Sequence, residues 1–239
     1  MMGLFFRAAL PRRMIAGAGF LAGMLLALPS WADGLDSLAR FLRDTHSGTA
    51  RFTQIVTAPP ARVPASGQAR AAPRQRTQNG VFAFKRPNQF RFDYQAPFAQ
   101  TIIADGKTLW LYDADLDQVT ARAQTQMLAS TPAALIATAT DLKALERDYV
   151  LTDEGEQGGQ QWVKAVPKPR DDGTSAALQS VRIGLKAGPG GAPVLTALDI
   201  LDSFGQRSQI TFSAFDANAA IAPERFQYTP PQGADVLRE

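Results

Sequence analysis

Hydrophobic and polar residues alternate most regularly within residues 80–113, and this stretch predicts four short antiparallel strands. Phe82 and Phe84 alternate with small or polar residues, and the same pattern returns at Phe90 and Phe92. A period of two places every second side chain on the same face of a strand. Aromatic side chains therefore line one face of the predicted sheet, which is either a packed core or the wall of a cavity.

Turn signals separate these strands and others along the chain. Pro87-Asn88 breaks the first pair, and Asp105-Gly106 is a strong hairpin signal. The strand pattern stops after Asp113 and returns from Tyr149 onward, with glycine-rich turns between the strands. The fold class predicted is mainly antiparallel β in a single domain. Outside residues 80–113, we expect strands at residues 50–57, 161–166, 178–185, 194–201, 208–215 and 226–229.

Helical spacing of apolar residues predicts a few short helices beside the sheet. Asp33 can cap a first helix that ends before Gly48, with apolar residues at Leu35, Leu38, Phe41 and Leu42. Thr131-Pro132 is a helix start followed by the apolar residues 133–137. Asp141 begins another short helix through Leu145. Helices this apolar must pack against an apolar surface.

Residues 1–32 have the pattern of a cleaved signal peptide. Three arginines precede an apolar run at residues 15–28, and Ser30 and Ala32 supply the small residues of a cleavage site. A membrane anchor is the alternative, but the apolar run is shorter than the ~20 residues that span a bilayer. We therefore expect the mature chain to begin at Asp33 and to lie outside the inner membrane. A single domain would then occupy residues 33–239.

Removal of the predicted signal peptide changes the net charge of the chain. Three of the 25 basic residues lie in it and none of the 22 acidic ones, so the remaining chain carries 22 of each sign. A neutral chain offers no electrostatic case for nucleic-acid binding. Residues 58–77 contain four arginines and no acid, and they are rich in proline and alanine. They predict a flexible basic loop, either simply solvated or in contact with anionic lipid or an acidic partner.

Residue types needed for common enzyme chemistry are scarce. The chain has no cysteine and one histidine, His46, so a structural zinc site or a Ser-His-Asp triad has almost no material. Asp113, Asp115 and Asp117 are spaced like the start of a calcium loop, but Gln118 replaces its glycine. We therefore predict no cofactor, no metal and no catalytic residue. A carboxylate pair for hydrolysis remains the enzyme alternative, since many acidic residues are present.

Arg86 is an exception on the apolar face of the predicted sheet. It follows Phe82 and Phe84 with the same parity, so alternation places it among apolar side chains. A charge in such a place must find hydrogen-bond acceptors. Two possibilities stay open at this stage: the guanidinium lies in the apolar region, or the side chain bends outward at Pro87 to reach water.

Several of these segments, in the same order along the chain, resemble the outer-membrane lipoprotein carrier family, LolA. The resemblance covers nearly all of residues 33–239, apart from the basic loop and Ala133-Ala134, where bulkier residues are common. The segments that carry it are FTQ at 52–54, FKRPNxFxF at 84–92, DGKTLWLY at 105–112, TP at 131–132 with LIA at 135–137, and FxYTPPQG at 226–233.

The resemblance implies an unclosed eleven-stranded β-barrel, or half-barrel, with a small α-helical lid over an apolar cavity. It implies a monomeric periplasmic chaperone that binds the acyl chains of lipoproteins. An inner-membrane ABC transporter would supply the cargo, and an anchored outer-membrane receptor of similar fold would accept it.

Specific residues follow from the same resemblance. Arg86 is similar to a family arginine that holds the lid closed through hydrogen bonds to backbone, here at Leu42, Ile136 and Ala137. Phe90 is similar to a residue at the cavity mouth used in handing over cargo. The cavity itself would be lined by Phe92, Leu135, Trp110 and Leu38.

Three other functions are compatible with parts of this pattern. The anchored receptor has the same fold, but it needs an N-terminal cysteine that this chain lacks. A lipid-sensing or lipoprotein-sensing module of related fold would normally carry a further domain. A carboxylate hydrolase would show saturable turnover.

Overall fold

A computed structural model of the chain describes residues 33–59, 74–124, 137, 139–169 and 177–238. These residues belong to one compact unit that spans residues 32–239. The predicted signal peptide, most of the basic loop, the Thr131-Pro132 helix start, Leu135 and Ile136 lie outside the described residues. No described helix is both long enough and apolar enough to cross a bilayer.

Twelve strands form a single sheet in the described part of the chain. They are β1 (Ser47–Thr57), β2 (Gln75–Lys85), β3 (Gln89–Ala96), β4 (Gln100–Asp105), β5 (Thr108–Asp113), β6 (Gln118–Ala123), β7 (Tyr149–Gln157), β8 (Gln160–Pro167), β9 (Leu178–Ala187), β10 (Pro193–Asp202), β11 (Arg207–Ala217) and β12 (Asp235–Arg238). Their order across the sheet is β12-β6-β5-β4-β3-β2-β1-β11-β10-β9-β8-β7. The two edge strands, β12 and β7, do not pair within the described residues, so the sheet is unclosed. The predicted antiparallel, unclosed fold class is confirmed.

Strand pairing is antiparallel throughout β1 to β11, and only β12 runs parallel to its neighbour β6. The eleven antiparallel strands agree with the number that the resemblance implied. Among the strand pairs described, β1 with β11 is the most distant in sequence: Phe52 lies opposite Phe212. This pairing joins the N-terminal half of the sheet to the C-terminal half.

Two α-helices begin where the capping residues predicted. In α1 (Gly34–Asp44), the Asp33 carboxylate accepts a 2.7 Å hydrogen bond from the Leu35 N–H. In α2 (Leu142–Asp148), the Asp141 carboxylate accepts one of 2.8 Å from the Ala144 N–H. Each cap satisfies a donor that the first helical turn leaves unpaired.

Some predicted boundaries were wrong. β1 begins at Ser47, three residues before the predicted start, so Gly48 is a strand residue opposite Phe84 and does not cap the helix, which ends at Asp44. β2 begins at Gln75, which pairs with Thr57, so the loop predicted at residues 58–77 is shorter than expected. The hydrogen bonds of the β1–β2 hairpin continue beyond the apolar pattern, because backbone pairing does not require apolar side chains.

The C-terminal region and the segment after Asp113 also differ from expectation. A sixth strand, β6, follows Asp113, and its alternation is weak because its side chains are small or polar. Residues 226–229 do not form a strand. Instead a short 3-10 helix, Pro223–Phe226, places the Phe226 ring in a fully buried position, and β12 follows it.

The main core lies on the face of the sheet against which α1 packs, here called the helix-side face. Rings from four strands, β1, β2, β3 and β11, meet there, and the centroids of Phe82 and Phe92 are 4.4 Å apart. The α1 residue Phe41 adds its ring at 6.5 Å from Phe84 and 6.0 Å from Phe215. α1 contacts β7, β8, β9 and β10. The helix therefore covers the apolar surface of the C-terminal half of the sheet.

Candidate functional site

The helix-side face carries the apolar residues singled out by the sequence. Phe90 and Phe92 lie on β3 beside Phe84 and Phe82 of β2, and all four rings are buried. Leu38 reaches the same cluster from α1 and is 0% exposed. Strand alternation on one side and helical spacing on the other thus bring these residues together, although more than forty positions separate Leu38 from Phe82 in the sequence.

Phe90 is more buried than a residue at an open mouth would be. Its side chain is only 1% exposed and packs edge-on against Phe92, with ring centroids 6.4 Å apart. The structure described therefore does not place Phe90 at an open mouth, as the resemblance implied. Its role in handing over cargo stays a prediction.

Arg86 lies in the turn between β2 and β3, next to the C-terminal end of α1. Its Nη1 donates a hydrogen bond of 3.4 Å to the Leu42 carbonyl. Its guanidinium carbon lies 5.2 Å from the ring centroids of both Phe41 and Phe84, which is a cation–π distance. The sequence left two positions open for the Arg86 guanidinium, and the structure places it among apolar side chains rather than out in water.

Burial affects the ionisation of this arginine. It lowers the pKa of Arg86 to about 10, because a charged guanidinium is poorly solvated there. The side chain therefore remains a cation at neutral pH. Aromatic faces and a helix carbonyl replace part of its lost hydration.

The other predicted latch residues are placed in part. The Leu42 carbonyl is an acceptor for Arg86, as the resemblance implied. Ala137 is fully buried, and its carbonyl accepts a hydrogen bond of 3.2 Å from the Asn88 N–H. Ile136 and Leu135 lie outside the described residues, so the complete latch stays a prediction.

Trp110 does not line the helix-side face, and its assignment to the cavity was wrong. Register pairs Ile103 with both Arg91 and Trp110, which places all three on the opposite face of the sheet from Phe90. There the indole N–H donates to the Asp105 carboxylate at 2.9 Å, and its ring packs 5.6 Å from that of Tyr228. A single alternating pattern cannot tell which face is which when both faces carry apolar residues.

This opposite face has a smaller apolar cluster of its own, which the C-terminal segment covers. Phe226 is fully buried, and the 3-10 helix that carries it contacts β3 and β4. Arg225 bonds Asp93 at 2.7 Å, and Arg91 bonds the same carboxylate at 2.8 Å. The carboxylate of Asp93 thus joins β3 to the 3-10 helix.

Gln124 is a buried polar residue that sequence reasoning missed. It is 2% exposed, and its amide bonds the Asn88 carbonyl at 2.8 Å and the Gly106 N–H at 3.0 Å. No sequence signal marks it, because its partners are 36 and 18 residues away. Its hydrogen-bond partners come together only when the β2–β3 and β4–β5 turns lie side by side in the folded sheet.

Little in the described residues suggests bond-making chemistry. They contain no group of three or more His, Cys, Asp or Glu side chains that could hold a metal ion. The most connected charged group, Glu154, Arg182, Asp199 and Arg207, forms ion pairs among its own members. What the helix-side face offers instead is apolar area and one cation, which suits an apolar ligand with few polar contacts.

This fold and site define a class of protein: an unclosed antiparallel sheet whose aromatic face is covered by a helix. The comparisons with known proteins identify the family. The model of a family described as "Outer membrane lipoprotein carrier protein LolA" matches residues 43–229. The chain therefore belongs to the LolA family, which consists of carrier proteins rather than enzymes.

Individual relatives agree with this assignment. The chain is 52% identical over 208 residues to an outer-membrane lipoprotein carrier protein of Albidiferax ferrireducens, covering 87% of this chain and 92% of the relative. It is 41% identical over 233 residues to one of Leptothrix cholodnii, covering 95% and 98%. A crystal structure of an uncharacterized conserved protein from Thermus thermophilus has a similar fold, with a TM-score of 0.50 at 12% identity over 85% of this chain and 98% of that one.

Proposed function

We propose that this protein is a periplasmic chaperone that binds the acyl chains of lipoproteins and carries them from the inner to the outer membrane. The observation that carries the proposal is the helix-side face, where buried aromatic rings meet the apolar face of α1 beside the Arg86 guanidinium. The names of its relatives, outer-membrane lipoprotein carrier proteins, support the same cargo. An inner-membrane ABC transporter would supply the lipoprotein, and an outer-membrane receptor would accept it.

The energetics of acyl chains explain why a carrier is needed. Three chains contain about 45 methylene groups, and exposing them to water would cost roughly 35 kcal/mol at ~0.8 kcal/mol each. A lipoprotein therefore cannot leave the membrane alone at a useful rate. Transfer from a bilayer to an apolar protein surface is close to neutral, so the energy for loading must come from the transporter.

Binding on the helix-side face requires that face to open. Phe90 and Leu38 are buried in the structure described, so acyl chains cannot reach them without displacing α1 or neighbouring segments. Arg86 opposes that displacement through its bond to Leu42 and its contacts with two rings. A two-state arrangement follows: Arg86 favours the closed, empty form, and cargo favours the open form.

Residues 1–32 fit this function as a cleaved signal peptide, with residues 33–239 as the carrier domain. The basic segment within residues 58–77 would then be a surface loop, either solvated or close to anionic lipid. Neither assignment is needed for cargo binding. Both concern delivery of the protein to its compartment and its approach to a membrane.

Capture of a lipoprotein from inner-membrane vesicles tests the proposal. Vesicles containing the transporter and a labelled lipoprotein are mixed with purified residues 33–239 and ATP, and the supernatant is analysed by native mass spectrometry. We expect a soluble one-to-one complex with the triacylated lipoprotein. A lipoprotein whose acylated cysteine is replaced by serine is the matched control, and equal binding of this unacylated form would refute acyl-chain recognition. Absence of any complex with ATP and active transporter would refute the function.

A further inference from the structure

The turn that carries Arg86 is held by several backbone hydrogen bonds in addition to the contacts of the Arg86 side chain. The Arg86 N–H donates to the His46 carbonyl at 2.8 Å, which joins the turn to the segment after α1. The Asn88 N–H donates to the Ala137 carbonyl, and the Asn88 carbonyl accepts from the Gln124 amide. Asn88 has a φ of +67°, a left-handed conformation that asparagine tolerates better than most residues.

Gln124 connects this turn to the neighbouring hairpin. One end of its amide bonds Asn88, while the other accepts the Gly106 N–H in the turn between β4 and β5. The backbone of Gln124 is fixed to the same hairpin, because its N–H donates to the Lys107 carbonyl at 2.8 Å. The side chain is buried, so water does not compete readily for these bonds. Its position is therefore determined by the β4–β5 hairpin.

We propose that Gln124 is a positioning residue that holds the β2–β3 turn so that the Arg86 guanidinium reaches the α1 carbonyl and the two phenylalanine rings. The turn extends beyond Lys85 and Gln89, the last paired residues of β2 and β3. Its tip therefore depends on contacts from outside the hairpin. Asn88 lies two residues from Arg86, so displacement of its peptide displaces the base of the arginine side chain. This inference rests on the proposed function only for its consequence in transport.

A purely structural glutamine would lower stability without acting through Arg86. The two possibilities differ in how the substitutions combine. If Gln124 acts through Arg86, then Gln124→Met causes no further slowing of lipoprotein delivery once Arg86 has been replaced by leucine. If it acts independently, the two effects add.

The first measurement needs no cargo. In the empty wild-type protein, the Arg86 guanidinium carbon lies 5.2 Å from two ring centroids, so we expect its Nε–H NMR signal to be shifted from the position of a solvated arginine. Gln124→Met keeps an unbranched side chain of similar length without the amide. We expect the Arg86 signal in this variant to move towards the solvated position. An unmoved signal would overturn the proposal, whatever the protein transports.

Asp199→Asn is the matched control. Asp199 is also buried and bonds two arginines, Arg182 and Arg207, on the β9–β11 part of the sheet. Its replacement removes buried polar interactions without touching the β2–β3 turn, so the Arg86 signal should stay in place. If Gln124→Met does not fold, Gln124→Asn is measured instead. Its amide is one methylene too short to reach both turns, and the same movement of the signal is expected.

The second measurement is delivery of bound lipoprotein to the receptor. We expect Gln124→Met to slow delivery about 3- to 10-fold, and the double variant with Arg86→Leu to be no slower than Arg86→Leu alone. Additive slowing in the double variant would overturn the proposal. If the wild type takes up no lipoprotein, the proposed transport function fails, while the NMR result still decides whether Gln124 positions Arg86.

Discussion

Replacing Arg86 by leucine should convert the protein into a carrier that loads lipoprotein but delivers it slowly. The substitution removes the contacts that favour the closed form, namely the bond to Leu42 and the interactions with Phe41 and Phe84. It also makes the helix-side face more apolar. Both changes favour the cargo-bound form, since only a difference between the two states can shift their balance.

The size of the effect is limited by opposing terms. A hydrogen bond from a charged group contributes about 1.5–3 kcal/mol, and each partly desolvated cation–π contact ~0.5–2 kcal/mol. Against these, burial lowers the pKa of Arg86 to about 10, which amounts to roughly 3 kcal/mol against the charged form. The difference lies between about 0 and 4 kcal/mol, and we take about 1–2 kcal/mol, near the middle of that range, as the net closing contribution. Its loss should strengthen cargo binding, and slow delivery, by roughly 5- to 30-fold.

The assay follows release of labelled lipoprotein from preloaded protein to purified receptor in solution. Arg86→Lys is the control that retains the positive charge. Lysine lacks the planar, multi-donor guanidinium, so it should restore delivery only in part. The reasoning is refuted if Arg86→Leu binds no lipoprotein from the vesicles, or releases it as fast as the wild type does.

Further predictions concern stability and processing. Phe90→Ala should lower the free energy of unfolding by about 3–5 kcal/mol in urea titrations, because the ring is buried. Phe204→Ala, at a position that is 82% exposed, should change it by less than about 0.5 kcal/mol, and similar losses at both positions would contradict this. Burial tends to raise the pKa of Asp105, but its hydrogen bonds, with the nearby charge of Lys107, lower it overall. Its stabilising contribution should therefore be complete above the unfolded-state pKa of about 4 and lost as pH falls through the lower folded-state pKa. Carboxyl NMR titration checks this, and an unfolded-like pKa would contradict it. The intact mass of periplasmic protein should correspond to a chain beginning at Asp33, and retained residues 1–32 would contradict this. Replacing residues 60–73 by a short glycine-containing turn should leave the melting temperature nearly unchanged, because loop length adds little closure entropy; a large decrease would show that the segment packs on the fold.

Much of the local structure follows from the sequence alone. Alternation at Phe82, Phe84, Phe90 and Phe92 predicted the strands that carry the aromatic face, because strand geometry sets a period of two. The capping of α1 by Asp33 was equally predictable, since a carboxylate at that position satisfies a backbone donor of the first turn. Both depend on interactions within a few residues of one another. The family resemblance came from short segments in a fixed order.

Tertiary structure alone decided which face each strand presents and which distant residues meet. Trp110 lies in the unbroken apolar run 109–112, so no alternation shows which face it presents. The register with Ile103 places it on the opposite face from Phe90, under the C-terminal segment. The β6 pattern was too weak to recognise, because its small side chains gain their burial from neighbouring strands. Gln124 has an ordinary polar side chain until two turns enclose its amide. Such positions depend on contacts between parts of the chain far apart in sequence, and the free energy of those contacts exists only in the assembled sheet.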